Sequence, residues 1–88
     1  MIEIDGKNIT HQVWLLNDDK VSGDLVFSSM QLYFLTLLDE QKIVTIMKSA
    51  EKNGRWPLMM STEKECKRAC EYFKALGVPV EFEKITYV

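Results

Sequence analysis

Asn17, Asp18 and Asp19 follow directly on the apolar run Trp14-Leu15-Leu16. An amide and two carboxylates in a row are suited to hold something positive. The same triplet also suits an ordinary turn, because Asn and Asp hydrogen-bond their own backbone at strand ends. Other chemistries find fewer residues. Cys66 and Cys70 lie four apart and share one face of a helix, where they read as small apolar packing residues. A zinc site needs four ligands, and His11 is the chain's single histidine. A Ser or Cys nucleophile would need a neighbouring base, and His11 has no evident partner set. No glycine loop for phosphate is present. The expectation is a protein that is not an enzyme, with no catalytic residue, no metal ligand and no cofactor.

The elements that must position these residues belong to one small domain spanning residues 1–88. Hydrophobic residues make up 47% of the chain and charged residues 27%, with only 4 Gly and 2 Pro, a composition that folds rather than stays disordered. The formal net charge of −2 lacks the basic surplus of a nucleic-acid binder. The apolar stretch from Leu25 to Leu38 contains Ser28, Ser29, Gln31 and Thr36 and is too short to span a bilayer. The first ten residues, MIEIDGKNIT, carry an acid where a secretory signal has basic residues, so a cytoplasmic location is expected.

Ile2 to Ile4 alternate apolar and acidic before a turn at Asp5-Gly6, and a second strand runs from about Ile9 to Leu16. Both faces of that strand are apolar at its end, as in a central strand, with Trp14 read as core. From Asp24 the spacing becomes helical: Val26, Met30, Tyr33, Phe34, Leu37 and Leu38 share a face, which Phe27, Leu32 and Leu35 widen. This helix is therefore expected to be the most buried. Ser22 or Asp24 can cap it. A second helix starts at Asp39, buries Ile43, Ile46, Met47 and Ala50, and stops at Gly54. Pro57 makes the following RWPLMMS an edge strand. Thr62 and Glu65 match a capping box for a third helix, whose inner stripe is Cys66, Ala69, Cys70, Phe73 and Leu76. Gly77 and Pro79 end it, and a strand from Val80 follows. Strands alternating with one-striped helices imply an α/β sandwich with the helices on one sheet face.

An apolar strand ending in Asn-Asp-Asp, two helices with "IM" on the second, a closing Gly and the terminal "GVPV" strand together resemble the ClpS adaptor family over residues 13 to 83. LLNDD is the most specific piece. The fold is also similar to the C-terminal domain of the ribosomal stalk protein. The resemblance implies a β-α-α-β-α-β order, with a small antiparallel sheet and three helices on one face. It also implies a function: ClpS-like adaptors select substrates for the Clp protease by gripping a bulky N-terminal residue. On that likeness Asn17, Asp18, Asp19 and Glu51 surround a peptide α-amine, with Glu51 standing where the family has a His. An ammonium offers three donors and one charge, which converging acceptors satisfy. The apolar pocket maps onto Val21, Val26, Met47 and Val80, and Gly23 replaces a gating apolar residue. The implied partner is a protein or peptide, including a Clp-type ATPase, with no nucleic acid and no membrane. The alternative is a protein–protein interaction module, an inhibitor or assembly subunit, that keeps the fold with a degenerate pocket. Trp56, next to Arg55 and Pro57, is the exposed residue best suited to such a contact.

Overall fold

Capping residues and left-handed glycines divide the chain much as the sequence indicates. The computed structural model describes residues 2–3, 9–35 and 37–85. The elements are β1 (Ile2–Glu3), β2 (His11–Leu16), α1 (Gly23–Phe34), α2 (Glu40–Asn53), β3 (Arg55–Ser61), α3 (Glu63–Ala75) and β4 (Val80–Lys84). The Asp39 carboxylate caps α2 by accepting from the Lys42 N–H at 2.8 Å, and Gly54 ends it at φ 84°. The Thr62 hydroxyl caps α3 by accepting from the Glu65 N–H at 3.2 Å. Gly77, at φ 86°, turns the chain towards β4. Both glycines occupy the left-handed region that side chains with a Cβ disfavour. The expected turn at Asp5-Gly6 lies outside the described residues.

The sheet has the order β1-β3-β2-β4. The antiparallel set β3-β2-β4 is the one the sequence implies, and β1 is added in parallel along β3. β2 is thus central. Val13 stands opposite Met59 and Phe82, and Leu15 opposite Val80. Val13, Leu15, Met59 and Val80 are all buried beneath the helices. The β2–β3 register shifts after Val13, which pairs Met59, while Trp14 pairs Pro57, so Leu58 is the extra residue of a bulge. Among the described residues β1 pairs with Met59 and Met60 and not with Pro57, which suits a residue that has no N–H to donate.

Two expectations about burial fail. α1 stops at Phe34 because Leu35 takes φ 46°; Leu32 and Leu35 are 65% and 68% exposed instead of widening a buried arc, and Leu37, expected on the inner face, lies beyond the helix and is 58% exposed. Leu76, expected on the inner stripe of α3, is 42% exposed, since the chain has left the helix there. The inner positions of α1 do pack: Tyr33 and Phe34 meet Tyr72 and Phe73 of α3, with the Tyr33–Phe73 centroids 5.2 Å apart and the Phe34–Phe73 centroids 6.2 Å apart. Trp14 is also not core. It lies half-buried on the sheet face that bears no helix, its indole N–H donating to Glu83 Oε1 at 2.8 Å and its ring 4.0 Å below the Arg55 guanidinium. Trp56 is exposed, as expected.

Cys66 and Cys70 are buried free thiols. Burial pushes the Cys66 thiol up, and pushes Cys70 up to about 11, because a thiolate loses its hydration there. Both should therefore react slowly with a disulfide reagent at pH 8 until denaturant is added, with the native reactivity of Cys70 growing only as pH approaches 11. Rapid native labelling at pH 8 would contradict this packing. Two core substitutions should differ in sign. Phe73→Ala should cost about 3–5 kcal/mol in denaturant unfolding through the cavity it leaves. Ser61→Ala removes a buried hydroxyl that has no hydrogen-bond partner among the described residues, and should be neutral or stabilising by up to about 1 kcal/mol.

Candidate functional site

The end of β2 is stitched on both sides. The Leu16 N–H donates to the Pro79 carbonyl, at the entry to β4, at 3.0 Å. The Asn17 N–H donates to the Gly54 carbonyl, at the close of α2, also at 3.0 Å. Asp18 then makes a tight turn: one carboxylate oxygen accepts from the Lys20 N–H at 2.9 Å, and its carbonyl accepts from the Val21 N–H at 3.0 Å. The turn reading of this triplet is thus correct for Asp18, and it does not consume the site. One Asp18 oxygen is engaged locally, while the side chains of Asn17 and Asp19 make no hydrogen bond among the described residues. All three are exposed.

This turn forms one wall of a cavity of about 490 Å³ between α1, α2 and the end of β2. Helix periodicity supplies the other walls. Val44, Met47, Lys48 and Glu51 fall at i, i+3, i+4 and i+7 of α2 and so line one face, while Gly23, Val26 and Phe27 do the same on α1. The floor is apolar, formed by Leu15, Val21, Val26 and Met47 among others. The mouth carries Asn17, Asp18, Asp19, Asp24 and Glu51, with Lys48 as the cation present. Glu51 is exposed and, among the described residues, no Lys or Arg pairs with it or with Asp18, Asp19 or Asp24 within 4.0 Å.

Seven of the eight residues singled out in the sequence therefore meet at one cavity. Val80 does not. It is 3% exposed, packs in the core opposite Leu15, and the preceding Pro79 lines the cavity in its place. The alternation of β4 explains this: its inward residue points under the helices. Gly23 does line the cavity, and a Cβ there would lie 3.6 Å from Met47 Cε, an ordinary contact. Met47 is half-buried, part floor and part core. Phe27, Val44, Lys48 and Asp24 were not singled out as site residues. The helical spacing of Val44, Lys48 and Glu51 is the signal that links them.

Chemically, the mouth offers carbonyl and carboxylate acceptors from two elements above an apolar floor. An ammonium can be held there by charge-assisted bonds while an adjoining apolar group is buried below. The lining includes no Ser, Cys or His to serve as a nucleophile or its base. Among the described residues no group of three or more His, Cys, Asp or Glu is placed to hold a metal ion. Nor is any helix of these residues long and apolar enough to cross a membrane.

Neither a protein-family model nor a curated protein matches the sequence. The solved structure of Agrobacterium tumefaciens ClpS2 bound to L-phenylalaninamide matches the fold with a TM-score of 0.71 and 22% sequence identity, covering 88% of this chain and 98% of that one. The order of elements, the antiparallel core of the sheet and the three helices agree with that comparison: the chain has a ClpS-like α/β fold.

Proposed function

We propose that the protein binds the free amino terminus of a polypeptide, with the α-ammonium at Asn17, Asp18, Asp19 and Glu51 and a bulky apolar first side chain on the floor between Val21, Val26 and Met47. The observation that carries this reading is the convergence of unpaired acceptors from the β2 turn and from α2 at the mouth of one apolar cavity. The ligand of the structural neighbour, L-phenylalaninamide, has the same two parts, a free amine and an aromatic side chain. The reading is of a non-catalytic adaptor that presents the bound polypeptide to a Clp-type ATPase.

The contributions can be apportioned. Burying a Phe or Leu side chain is worth about 1.5–3 kcal/mol, and this term is blind to the amine. Discrimination between a free and a blocked terminus comes from the acceptors, since acetylation removes the charge and leaves the carboxylates facing a neutral amide.

A second reading, a protein–protein interaction module, draws on the helix-free sheet face. There Arg55 is fixed between Trp14 and Glu81, 3.1 Å from the carboxylate, and the exposed Trp56 lines one hollow with Trp14 and Arg55. Arg and Trp are common anchors of interfaces. The two readings use opposite sides of the sheet.

Fluorescence anisotropy with labelled peptides beginning in Phe or Leu tests the first reading. Free-amine peptides should bind and N-acetylated ones should not, and equal binding of both would sink it. Asp18→Ala should weaken the free-amine peptide by up to about 1 kcal/mol, the worth of an exposed charge pair. Because Asp18 is exposed, its loss should leave the circular dichroism spectrum unchanged, and losing the turn bond from the Lys20 N–H should lower stability by no more than about 1 kcal/mol. Unaltered affinity in that variant would mean the motif is a turn alone.

A further inference from the structure

β4 stands last in the sheet order β1-β3-β2-β4 and pairs with β2 alone, so among the described residues its other side is an open edge. The register says which backbone groups face that edge. The Leu16 N–H donates to the Pro79 carbonyl at 3.0 Å, and the Ile85 N–H to the Thr10 carbonyl at 2.9 Å. Both bonds fall on the antiparallel β2–β4 ladder, in which hydrogen-bonded pairs alternate with pairs that are not. Glu81 and Glu83 therefore direct their backbone groups to β2, while Val80, Phe82 and Lys84 direct theirs outward. Val80 is 3% exposed, which leaves half-buried Phe82 and exposed Lys84 as the accessible stretch of edge.

Side chains add a pattern to this edge. Glu81 and Glu83 stand two residues apart on the helix-free face, and Phe82 between them packs against the core on the other. One oxygen of each acid is already fixed from within the sheet. Glu81 Oε1 accepts from Arg55 of β3 at 3.1 Å, and Glu83 Oε1 accepts from the Trp14 indole of β2 at 2.8 Å. The second oxygen of each makes no hydrogen bond among the described residues. A strand laid along the edge sets alternate side chains beside these two acids, whichever way it runs. Lys or Arg there meets an opposite charge. A second copy of this chain is disfavoured: pairing β4 with itself about Phe82 sets Glu81 of each copy opposite Glu83 of the other.

We propose that the open edge of β4 docks an extended segment of a partner protein with the alternation basic–apolar–basic, which joins the sheet as a further strand. The backbone of Phe82 and Lys84 supplies the pairing, and Glu81 and Glu83 select the basic side chains. No residue of β4 lines the α1–α2 cavity, so the site is separate from the amine-binding reading and needs no free amino terminus.

The test uses the full chain and peptides blocked by acetyl and amide groups, which removes any recognition of an amine. One carries Lys-Val-Lys-Val-Lys, and a second the same residues as Lys-Lys-Val-Val-Lys, in which no two Lys are two apart. A third carries Glu-Val-Glu-Val-Glu, and all share one neutral labelled tail. In the free protein the amides of Phe82 and Lys84 should exchange with deuterium much faster than those of Glu81 and Glu83. The alternating Lys peptide should slow exchange at both. By fluorescence anisotropy it should bind about threefold to tenfold tighter than its rearranged form, from two exposed cross-strand charge pairs, with the Glu peptide weakest. Replacing Glu81→Gln and Glu83→Gln together keeps acceptors for Arg55 and Trp14 and should bring the two Lys peptides level. Lys84→Pro removes an outward N–H that the sheet does not use, and should abolish binding with the fold intact. Slow exchange at Phe82 and Lys84 in the free protein would mean that the edge is covered, and overturns the proposal. Equal binding of the two Lys arrangements overturns it too, as does a dimer of the chain that Lys84→Pro dissociates, which would give the edge to a second copy. If no blocked peptide binds, the proposal falls and the amine reading is untouched.

Discussion

Everything at the candidate site depends on how the end of β2 is held. β2 is central in the sheet, so its backbone is bonded along both edges, to β3 and to β4. At its last residues those two neighbours give way to different partners. The Leu16 N–H goes to Pro79 and the Asn17 N–H goes to Gly54. The first bond ties the strand to the turn after α3, and the second ties it to the left-handed close of α2. Glu51 lies three residues before Gly54 on that same helix end. A single backbone hydrogen bond therefore relates the Asn-Asp-Asp turn to the helix that supplies the facing carboxylate. The left-handed geometry at Gly54, with φ 84°, aims its carbonyl back at the strand. A residue with a Cβ there would take up that geometry only with strain.

Packing behind this clamp is correspondingly rigid. The inward residues Val13 and Leu15 of β2 lie under the helices, and α1 is pinned to α3 through Tyr33, Phe34, Tyr72 and Phe73. Aromatic pairs at these separations add stability beyond the area they bury. Burial also pushes the Tyr33 phenol up, as expected for a hydroxyl whose ionised form loses water at the edge of such a cluster. The helix-free side of the sheet is ordered by polar contacts instead. Trp14 donates to Glu83, stacks under Arg55, and Arg55 pairs with Glu81. The sheet thus has an apolar face that builds the cavity wall and a polar aromatic face that keeps the strands in register.

How much of this is legible in the sequence follows from which signals are local. Caps and stops are local chemistry, so Asp39, Gly54, Thr62 and Gly77 could be read directly and occupy those roles. Periodicity identifies helices and their inner stripes, but not where a helix gives out. Leu32 and Leu35 continue the apolar pattern of α1 in sequence, while the backbone departs at Leu35 and leaves both in solvent. Trp14 misleads for a related reason: a half-buried aromatic on an uncovered sheet face has the same composition as a core residue. At the site, the polar residues were found through a resemblance centred on Asn17 to Asp19, and Val80 was misplaced by one residue because strand alternation hides it. Asp24 and Lys48 carry signals of helix termini and solvated faces, and only the meeting of α1 with α2 shows that they share a cavity.

On the proposed reading, that meeting separates two jobs that a pocket of one character could not perform together. An apolar floor gives affinity roughly in proportion to the area it covers, and it would accept a Phe side chain in mid-chain as readily as at a terminus. A polar mouth gives little net affinity, since its carboxylates are hydrated when empty and must exchange water for ligand. Its effect is discrimination: a neutral amide there desolvates acids without compensation, whereas an ammonium supplies the missing donors and charge. Placing the acids on exposed ends of separate elements keeps their mutual repulsion small in the empty state, because water screens charges at the rim far better than in the floor. The fold tolerates several carboxylates around one mouth for that reason, and the same screening keeps each of them modest as a source of selectivity. Specificity at this site is then a sum of small, salt-sensitive contributions over a larger apolar term that sets whether anything binds at all.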